Sequence, residues 1–209
     1  KNTDLITKYI DKGLPIVHFQ LEHDGNEKNI IVSDYRKAAF DATEYLIKLG
    51  HKRICFVTQD YKNVKSRMER YLGYAEALGK YKIPLDKQLI QYWQRETGFL
   101  QSPKAIIASA NSPTAFFTQH LPITTELLTV LNEEKISIPD EVSVLGFDDI
   151  PMAEFFKVPI TVITQNPYEV GKEATKLLLK NISDKETPSQ KIMIPCSLTQ
   201  RLSCKKIKP

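Results

Sequence analysis

The sequence predicts an α/β fold in which helices pack on a largely parallel sheet. Short, continuous apolar runs such as "ICFV", "TAFFTQ" and "EVSVLGF" have the length and composition of strands that are buried on both faces. Longer segments with apolar residues at three- and four-residue steps separate these runs and predict amphipathic helices. Because strand–helix alternation is typical of parallel strands joined by right-handed crossovers, it indicates an α/β protein.

The first predicted elements are a helix at the start of the chain and a buried strand in "LPIVHFQ". The clearest helix follows, because one face of "DYRKAAFDATEYLIKLG" is apolar. Gly50 suits the left-handed position after a helix end. His51, Lys52 and Arg53 come next, where a helix C-terminus favours positive charge. The apolar face consists of Ala38, Ala39, Ala42, Tyr45, Leu46 and Leu49.

The rest of the chain continues the alternation. Further strands are predicted in "ICFV", "QLIQYW", "TAFFTQ", "EVSVLGF" and "PITVIT", with one closing strand near "KIMIPCSL". Further helices are predicted in "RMERYLGYAEALGKY", in "TGFLQSPKAIIASA", from about Ile123 to Glu134, and in "PYEVGKEATKLLLKNI".

Length and composition fit a globular protein with a sizeable core. The 209 residues suffice for one large domain or two small ones, and 42% of them are hydrophobic. The net charge of +4 is modest and its basic residues are spread along the chain, so strong DNA binding by this chain alone is not expected. No apolar run approaches the roughly 18 residues of a membrane span, and the first residues are too charged for a secretion signal. We expect no membrane partner and a cytoplasmic location.

The sequence favours neither a metal site nor an enzyme. Its cysteines, Cys55, Cys196 and Cys204, are odd in number and lack CxxC spacing, which predicts reduced thiols. The histidines share no ligand spacing, so we expect no metal and no cofactor. The glycine-rich phosphate-binding and nucleophile-elbow motifs are absent. Asp148 and Asp149 are adjacent, so in an extended strand their side chains point to opposite sides and cannot act on one bond together.

Several segments resemble one family in order and spacing. They are "VSDYRKAAFDATEYLIKLGHKRICFV", "RMERYLGYAEAL", "SPTAFF", "IPDEVSVLGFDDIPMAEFFKVPITVITQNPYEVGKEATKLLL" and "QRLS". From about Leu14 to Ser203, the chain resembles the effector-binding domain of LacI/GalR-type transcriptional regulators. The resemblance implies a fold like the periplasmic sugar-binding proteins, in which two flavodoxin-like parallel-sheet subdomains, joined by three crossover strands, close on a small molecule.

The resemblance also implies subdomain boundaries. One subdomain is expected to contain residues 1–57 and 165–195, and the other residues 61–158 and 196–209. Hinge crossovers are expected near 58–61, 159–165 and 196–200. Family members carry a DNA-binding headpiece and a longer first subdomain, so we expect this chain to lack the headpiece and the start of the N-terminal subdomain.

Two residues match the family's main ligand contacts. Arg70, three residues before Gly73, matches an effector-contacting arginine, although a surface salt bridge beside Glu69 is the alternative. Asp148 matches the first Asp of the family's "GFDD" and can accept hydrogen bonds from two adjacent hydroxyl groups. Asp149 is expected to cap the following turn instead.

Four further residues are weaker candidates for ligand binding. Asp34 matches a family Asp at the entrance to the next helix, where it could equally be an N-cap. Trp93 ends a predicted strand and could stack on a sugar ring or belong to the core. Gln20 and Gln165 lie near crossovers or strand ends, and both could instead hydrogen-bond to hinge backbone.

The chain departs from the family pattern after "PTA". His120 and Leu121 stand where the family usually has Asn-Asp, and Leu121 cannot accept a hydrogen bond. His120 could replace part of the lost contact as donor or acceptor. Tyr35 and Lys37 likewise replace the usual Asn and Gly around Asp34. The ligand therefore differs from the common family sugars, or the pocket has degenerated.

The predicted function is that of a ligand-sensing domain in a LacI-type regulator. The effector would be a sugar-like small molecule, the chain would form a homodimer, and operator DNA would be bound only through the missing headpiece. The alternatives are a ligand-blind dimerisation module and an exported sugar-binding protein. A sensor requires the side chains of Arg70 and Asp148 to converge on one site.

Overall fold

The computed structural model of the chain describes residues 3–20, 29–184 and 186–207. Within these ranges the helices are α1 (Thr3–Asp11), α2 (Tyr35–Lys48), α3 (Lys65–Lys80), α4 (Pro103–Ile107), α5 (Leu121–Glu133) and α6 (Pro167–Ser183). The strands there are β1 (His18–Phe19), β2 (Ile30–Ser33), β3 (Ile54–Thr58), β4 (Ile90–Gln94), β5 (Gly98–Phe99), β6 (Ala115–Thr118), β7 (Ser143–Phe147), β8 (Thr161–Thr164), β9 (Lys191–Ile194) and β10 (Ser197–Thr199).

The chain divides into two compact units. Unit 1 contains Lys1–Asp34 and Asn166–Pro195, and unit 2 contains Tyr35–Gln165 and Cys196–Pro209. The chain therefore passes from one unit to the other three times. Strand pairing follows the same division, since each described sheet lies within one unit.

In unit 1, the described strands form a parallel sheet in the order β1-β2-β9, which we call the small sheet. Helix α6 packs on it through Val170 and Leu177, which contact a core that includes Ile31 and Ile194. Strand β2 is an addition to the predicted elements, although its run "IIVS" is as apolar as the others. The predicted buried strand "LPIVHFQ" is shorter and less buried than expected, because β1 lies at an edge and Phe19 is 61% exposed.

In unit 2, the described strands form the order β10-β8-β7-β6-β3-β4-β5, which we call the large sheet. Strands β8, β7, β6, β3 and β4 are parallel, and the outer pairs β10–β8 and β4–β5 are antiparallel. Side chains of β3 alternate between two cores: Phe56 packs with α2 and α3, and Val57 packs with α5. Helices therefore cover both faces of the large sheet, which confirms the α/β class and explains its continuous apolar strands.

Close packing of α2 against α3 sets the position of Arg70. A Cβ atom on Gly73 would collide with the backbone carbonyl of Arg36, so the two helices can approach this closely only at a glycine. Arg70 lies one turn before Gly73 on α3. Gly50 has a φ of +98°, as predicted for the residue after a helix end.

Two predicted elements are wrong in extent. The predicted helix over "TGFLQSPKAIIASA" is only the short α4, because Gly98 begins β5 with a φ of +74° and Pro103 occupies the first helical position. The predicted closing strand in "KIMIPCSL" is two strands in different sheets. Pro195 separates them, with β9 in the small sheet and β10 in the large sheet.

The predicted subdomain boundary is wrong for residues 35–57. Strand β3 pairs with β4 on one side and β6 on the other, so it lies inside the large sheet of unit 2. Helix α2 belongs to unit 2 as well, because it packs on α3. The first two unit crossings therefore fall at 34–35 and 165–166 instead of 58–61 and 159–165.

Candidate functional site

The parallel strands of the large sheet bring several polar residues to one edge. Strands β3, β6 and β7 are neighbours, so the residues that follow their carboxyl ends lie along the same edge. Gln59 follows β3, Gln119 follows β6 and Asp148 follows β7. In open parallel sheets this edge is where ligands bind. The candidate functional site therefore lies at this edge.

Arg70 is a buried cation that lies over two neighbouring aromatic rings. Its side chain is 7% exposed, and its guanidinium carbon lies 4.2 Å from the ring centre of Tyr35 and 4.1 Å from that of Phe147. Such stacking favours a cation. Burial lowers the pKa of Arg70, and the charges of Tyr35 and Asp148 oppose this shift. The surface salt-bridge alternative is wrong, because Glu69 pairs with Lys65 and Arg36 instead.

At least one hydrogen-bond donor of Arg70 is unused within the described residues. Its Nε is buried, and no atom in the described ranges accepts a hydrogen bond from it. A guanidinium nitrogen can only donate. A buried donor without an acceptor costs about 1–3 kcal/mol, so the position is costly for the folded chain by itself.

Asp148 is held at the same edge by its backbone and by Gln165. Its backbone N–H donates to the Ile163 carbonyl at 2.8 Å, and its φ of +72° is unusual for a residue with a side chain. The amide nitrogen of Gln165 donates to one carboxylate oxygen of Asp148. The structure therefore brings Arg70, Asp148 and Gln165 together within unit 2, with Gln165 as the residue that orients the carboxylate.

The next acid has a different role. Asp149 forms a bidentate ion pair with Arg201, with N–O distances of 2.7 and 2.9 Å. It also accepts a hydrogen bond from the Ile150 N–H at 2.8 Å, in agreement with the predicted contact with the following turn. The hydrogen bonds from Arg201 lower the pKa of the Asp149 carboxyl. Asp149 therefore fixes the loop after β7.

Gln119 was not among the sequence candidates. Its side chain is 1% exposed, and its carbonyl oxygen accepts hydrogen bonds from the Thr58 hydroxyl at 2.6 Å and from the Gln59 N–H at 3.1 Å. Its Nε2 is buried and has no acceptor among the residues described. The signal that would have found it is its place directly after a parallel strand, the same place that Asp148 occupies after β7.

His120 lies between Gln119 and the first residue of α5. Burial and the charges of Arg70, Arg67 and Arg95 lower its pKa to about 4, so the ring is neutral at pH 7. Its Nδ1 is a further buried atom for which the described part of the chain offers no partner. We call Arg70, Gln119 and His120 the Arg70 cluster.

Trp93 is buried in the core and presents little of its ring surface to solvent. It is 5% exposed, and its indole N–H donates to Glu126 at 2.6 Å. The His120 ring meets it edge-on, with centroids 5.5 Å apart. Trp93 also lines a cavity of about 320 Å³ within unit 2, together with Arg67 and Arg95. Stacking on a sugar ring stays a prediction.

The two remaining candidates lie in unit 1, at the carboxyl edge of the small sheet. The amide of Gln20 donates to the Ser33 hydroxyl at 2.8 Å and accepts from the Ser33 N–H at 2.9 Å, which favours a structural role. Asp34 directly precedes α2 and so occupies its N-cap position, while its own N–H donates to the Ile194 carbonyl at 2.8 Å. Their ligand roles stay predictions.

Searches for two other kinds of site were negative over the described ranges. There, no group of three His, Cys, Asp or Glu side chains could hold a metal ion, and His23 lies outside those ranges. None of the helices in the described part of the chain has both the length and the apolar composition needed to cross a bilayer.

Comparison with known proteins identifies the family. Residues 43–204 match the family described as the periplasmic binding protein-like domain. The chain belongs to this family. Among relatives of this periplasmic binding protein-like domain is the HTH-type transcriptional repressor PurR of Vibrio parahaemolyticus, which is 29% identical over 98% of this chain and 62% of its own length. PurR of Histophilus somni is 30% identical over 86% of this chain and 54% of its own length.

A solved structure supports the same assignment. The LacI family transcriptional regulator from Enterococcus faecium, with bound ribose, superposes with a TM-score of 0.83 and is 28% identical. The match covers 99% of this chain and 77% of that chain. The resemblance to the effector-binding domain of LacI-type regulators is thereby confirmed. This periplasmic binding protein-like domain spans 62% or less of the two PurR relatives.

Proposed function

We propose that this domain senses a small molecule, a sugar or sugar derivative, for a LacI-type transcriptional regulator. The observation that carries the proposal is the buried guanidinium of Arg70, which lies over the rings of Tyr35 and Phe147 and interacts electrostatically with the Asp148 carboxylate. Arg70 supplies donors and Asp148 supplies acceptors. A hydroxyl-rich molecule can satisfy both groups at once, whereas an apolar molecule can satisfy neither.

The relatives favour the same kind of ligand. The Enterococcus faecium regulator, which is 28% identical to this chain, binds ribose in its solved structure. Trp93, which the His120 ring contacts, lines a cavity of about 320 Å³ in unit 2. Arg70 and Asp148 do not line this cavity, whose volume falls within the range typical of small-molecule sites. Gln165 and Asp149 support the proposal indirectly, because both fix the loop that carries Asp148.

The regulatory step belongs to the longer protein. We propose that the domain acts in the cytoplasm as a homodimer, and that a DNA-binding headpiece on the same polypeptide contacts operator DNA. Its role is binding and not the making or breaking of a bond. A ligand can then shift DNA affinity only by binding one conformation of the domain more tightly than another.

Thermal unfolding in the presence of sugars tests the proposal. A ligand that binds the folded chain raises its melting temperature with concentration. We expect at least one member of a panel of pentoses, hexoses, disaccharides, their phosphates and acids, and nucleosides to do so. Arg70→Met should remove the response and Arg36→Met should keep it, because Arg36 pairs with Glu76 on the surface. Flat melting curves across the whole panel would show that the chain is not a sensor of these molecules.

A further inference from the structure

The N-terminus of α5 has the properties of an anion-binding helix end. Its first turn, Leu121–Thr124, contains no acidic residue, and within the described ranges the His120 side chain makes no capping hydrogen bond. The first N–H groups of a 13-residue helix carry a partial positive charge that favours a negative group. Leu121, the first helical residue, brings no acceptor to this end.

Buried donors beside this helix end provide a second, independent observation. Gln119 immediately precedes the N-cap residue His120. The carbonyl oxygen of Gln119 already accepts from Thr58 and Gln59, which fixes the amide so that Nε2 is the atom left with unused donors. Arg70 Nε is likewise a donor. Buried donors are almost always satisfied in folded proteins, so two at one edge indicate a missing acceptor.

The electrostatic field at this point is positive. The charges that lower the pKa of His120 are those of Arg70, Arg67 and Arg95. These three arginines therefore act together on the ring that precedes the α5 N-terminus.

We propose that the Arg70 cluster and the N-terminus of α5 form a subsite for an oxyanion, a carboxylate or a phosphate, carried by the effector. This rests on the proposed sensing function and narrows its ligand to a sugar acid or a sugar phosphate. Arg70 Nε and Gln119 Nε2 donate to the anionic oxygens, and Asp148 accepts from a hydroxyl of the same molecule. A neutral hydroxyl could accept one of these hydrogen bonds, but a hydrogen bond from the buried guanidinium to a charged oxygen is stronger.

Matched pairs of probes test the subsite. We would measure binding of ribose against ribose 5-phosphate, and of glucose against glucuronate and glucose 6-phosphate, by calorimetry with the 209-residue chain. We expect the anionic member of at least one pair to bind about tenfold tighter or more, since charge-assisted hydrogen bonds are the stronger kind. The glucuronate and phosphate arms then identify which oxyanion the subsite takes.

Two variants locate the effect at this helix end. Gln119→Glu keeps the oxygen that Thr58 and Gln59 use but replaces the donor with a second, repelling oxygen. Leu121→Asp adds an acid to the first turn of α5, where it favours the helix and competes with the ligand's own anion. We expect both to abolish the preference for the anionic probe. Gln94→Glu, an exposed change of equal charge on the cavity that Trp93 lines, should reduce the preference no more than about twofold.

The outcomes separate this inference from the sensing function. Binding of neutral sugars as tightly as their anionic partners would overturn the oxyanion subsite and leave sensing intact. Leu121 packs against the core, so the folding of Leu121→Asp is checked first by its melting temperature. Retention of the full anionic preference in the folded Leu121→Asp variant would overturn the location. Failure of every probe to bind would overturn both proposals.

Discussion

The two edges of the large sheet treat their buried polar groups differently. At the amino edge, the hydroxyl of Ser203 is fully buried, accepts from the Thr161 N–H at 2.8 Å and donates to the Val144 carbonyl. Both ring nitrogens of His51 have a hydrogen-bond partner. Nδ1 lies 2.9 Å from the Thr114 hydroxyl, and Nε2 lies 3.2 Å from the backbone carbonyl of Lys205. At this edge buried polar groups join neighbouring segments.

At the carboxyl edge, the Arg70 cluster contributes three buried nitrogens for which the described residues provide no partner. Arg53 is the exception at the amino edge, since its Nε donates to Ser112 while its Nη2 has no acceptor in the described ranges. Groups that stabilise the fold are paired within it, whereas groups that await a ligand reduce its stability. The difference indicates that the amino edge serves folding, and it supports the proposal that the carboxyl edge serves binding.

The strongest test of this contrast is Ser203→Ala at the amino edge. Removal of the hydroxyl leaves the Thr161 N–H and the Val144 carbonyl buried without this partner. We expect the free energy of unfolding to fall by about 2–3 kcal/mol. Chemical denaturation measures it, with the exposed Ser197→Ala as the control. A loss below about 0.5 kcal/mol would mean that the amino edge does not depend on this hydrogen-bond pair.

Acid should destabilise the chain through histidines at both edges. Burial lowers the pKa of His51, and burial with the three arginines lowers that of His120 from 6.5 to about 4. The unfolded chain binds protons near pH 6.5 while the folded rings stay neutral, so stability is complete above that pH and falls as the pH drops towards 4. Because His120 is partly exposed, we expect its share to be about 1–2 kcal/mol.

Denaturation at a series of pH values with His120→Asn measures that share. The variant should unfold with a shallower dependence on pH, and the remaining dependence belongs in part to His51. An unchanged dependence of stability on pH would show that the folded His120 ring takes up its proton near pH 6.5. The arginine charges would then not act on this ring.

Arg70→Met should cost little stability or even add some. The change removes a buried charge with an unused donor and keeps an unbranched side chain against Tyr35 and Phe147. Replacement of buried charges by apolar residues is often neutral or stabilising. We expect the free energy of unfolding to stay within about 1 kcal/mol of the original or to rise. A loss of about 3 kcal/mol or more would indicate that Arg70 is paired in the folded chain and serves folding.

Apolar periodicity predicted most of the fold because both faces of the large sheet are buried. It failed near Pro195, where one apolar run forms two strands that belong to different sheets. It also failed where Gly98 and Pro103 interrupt a helical pattern. The unit boundary near α2 was also beyond reach, because it depends on which strands pair with β3. The prediction of positive charge after α2 was wrong for His51, because burial lowers the pKa of its ring and keeps it neutral at pH 7.

The site was predictable only in part. Arg70 and Asp148 follow from a motif whose register fixes them beside parallel strands. The partner of Asp149 could not be predicted, because Arg201 is 52 residues away and meets it only through the tertiary fold. Gln119 was missed because a glutamine after a strand has no distinctive pattern. Its importance comes from a hydrogen-bond network that leaves one amide nitrogen unused.

The smallest expected effect is a change in the pKa of His120, at the carboxyl edge, that His51 at the amino edge does not share to the same extent. An oxyanion beside α5 would oppose the arginine charges that act on His120 and so raise the pKa of its ring. His51 precedes β3 and His120 follows β6, so the length of a strand, about 15 Å, separates them. Because Coulomb interactions weaken with distance, His51 should respond much less than His120. We expect the pKa of His120 to rise by about 0.5–1 when ribose 5-phosphate is saturating, and not with ribose as the control. NMR titration of the ring measures this change. Equal shifts of both rings would indicate a general ionic effect, and an unmoved His120 ring would place the bound phosphate away from α5.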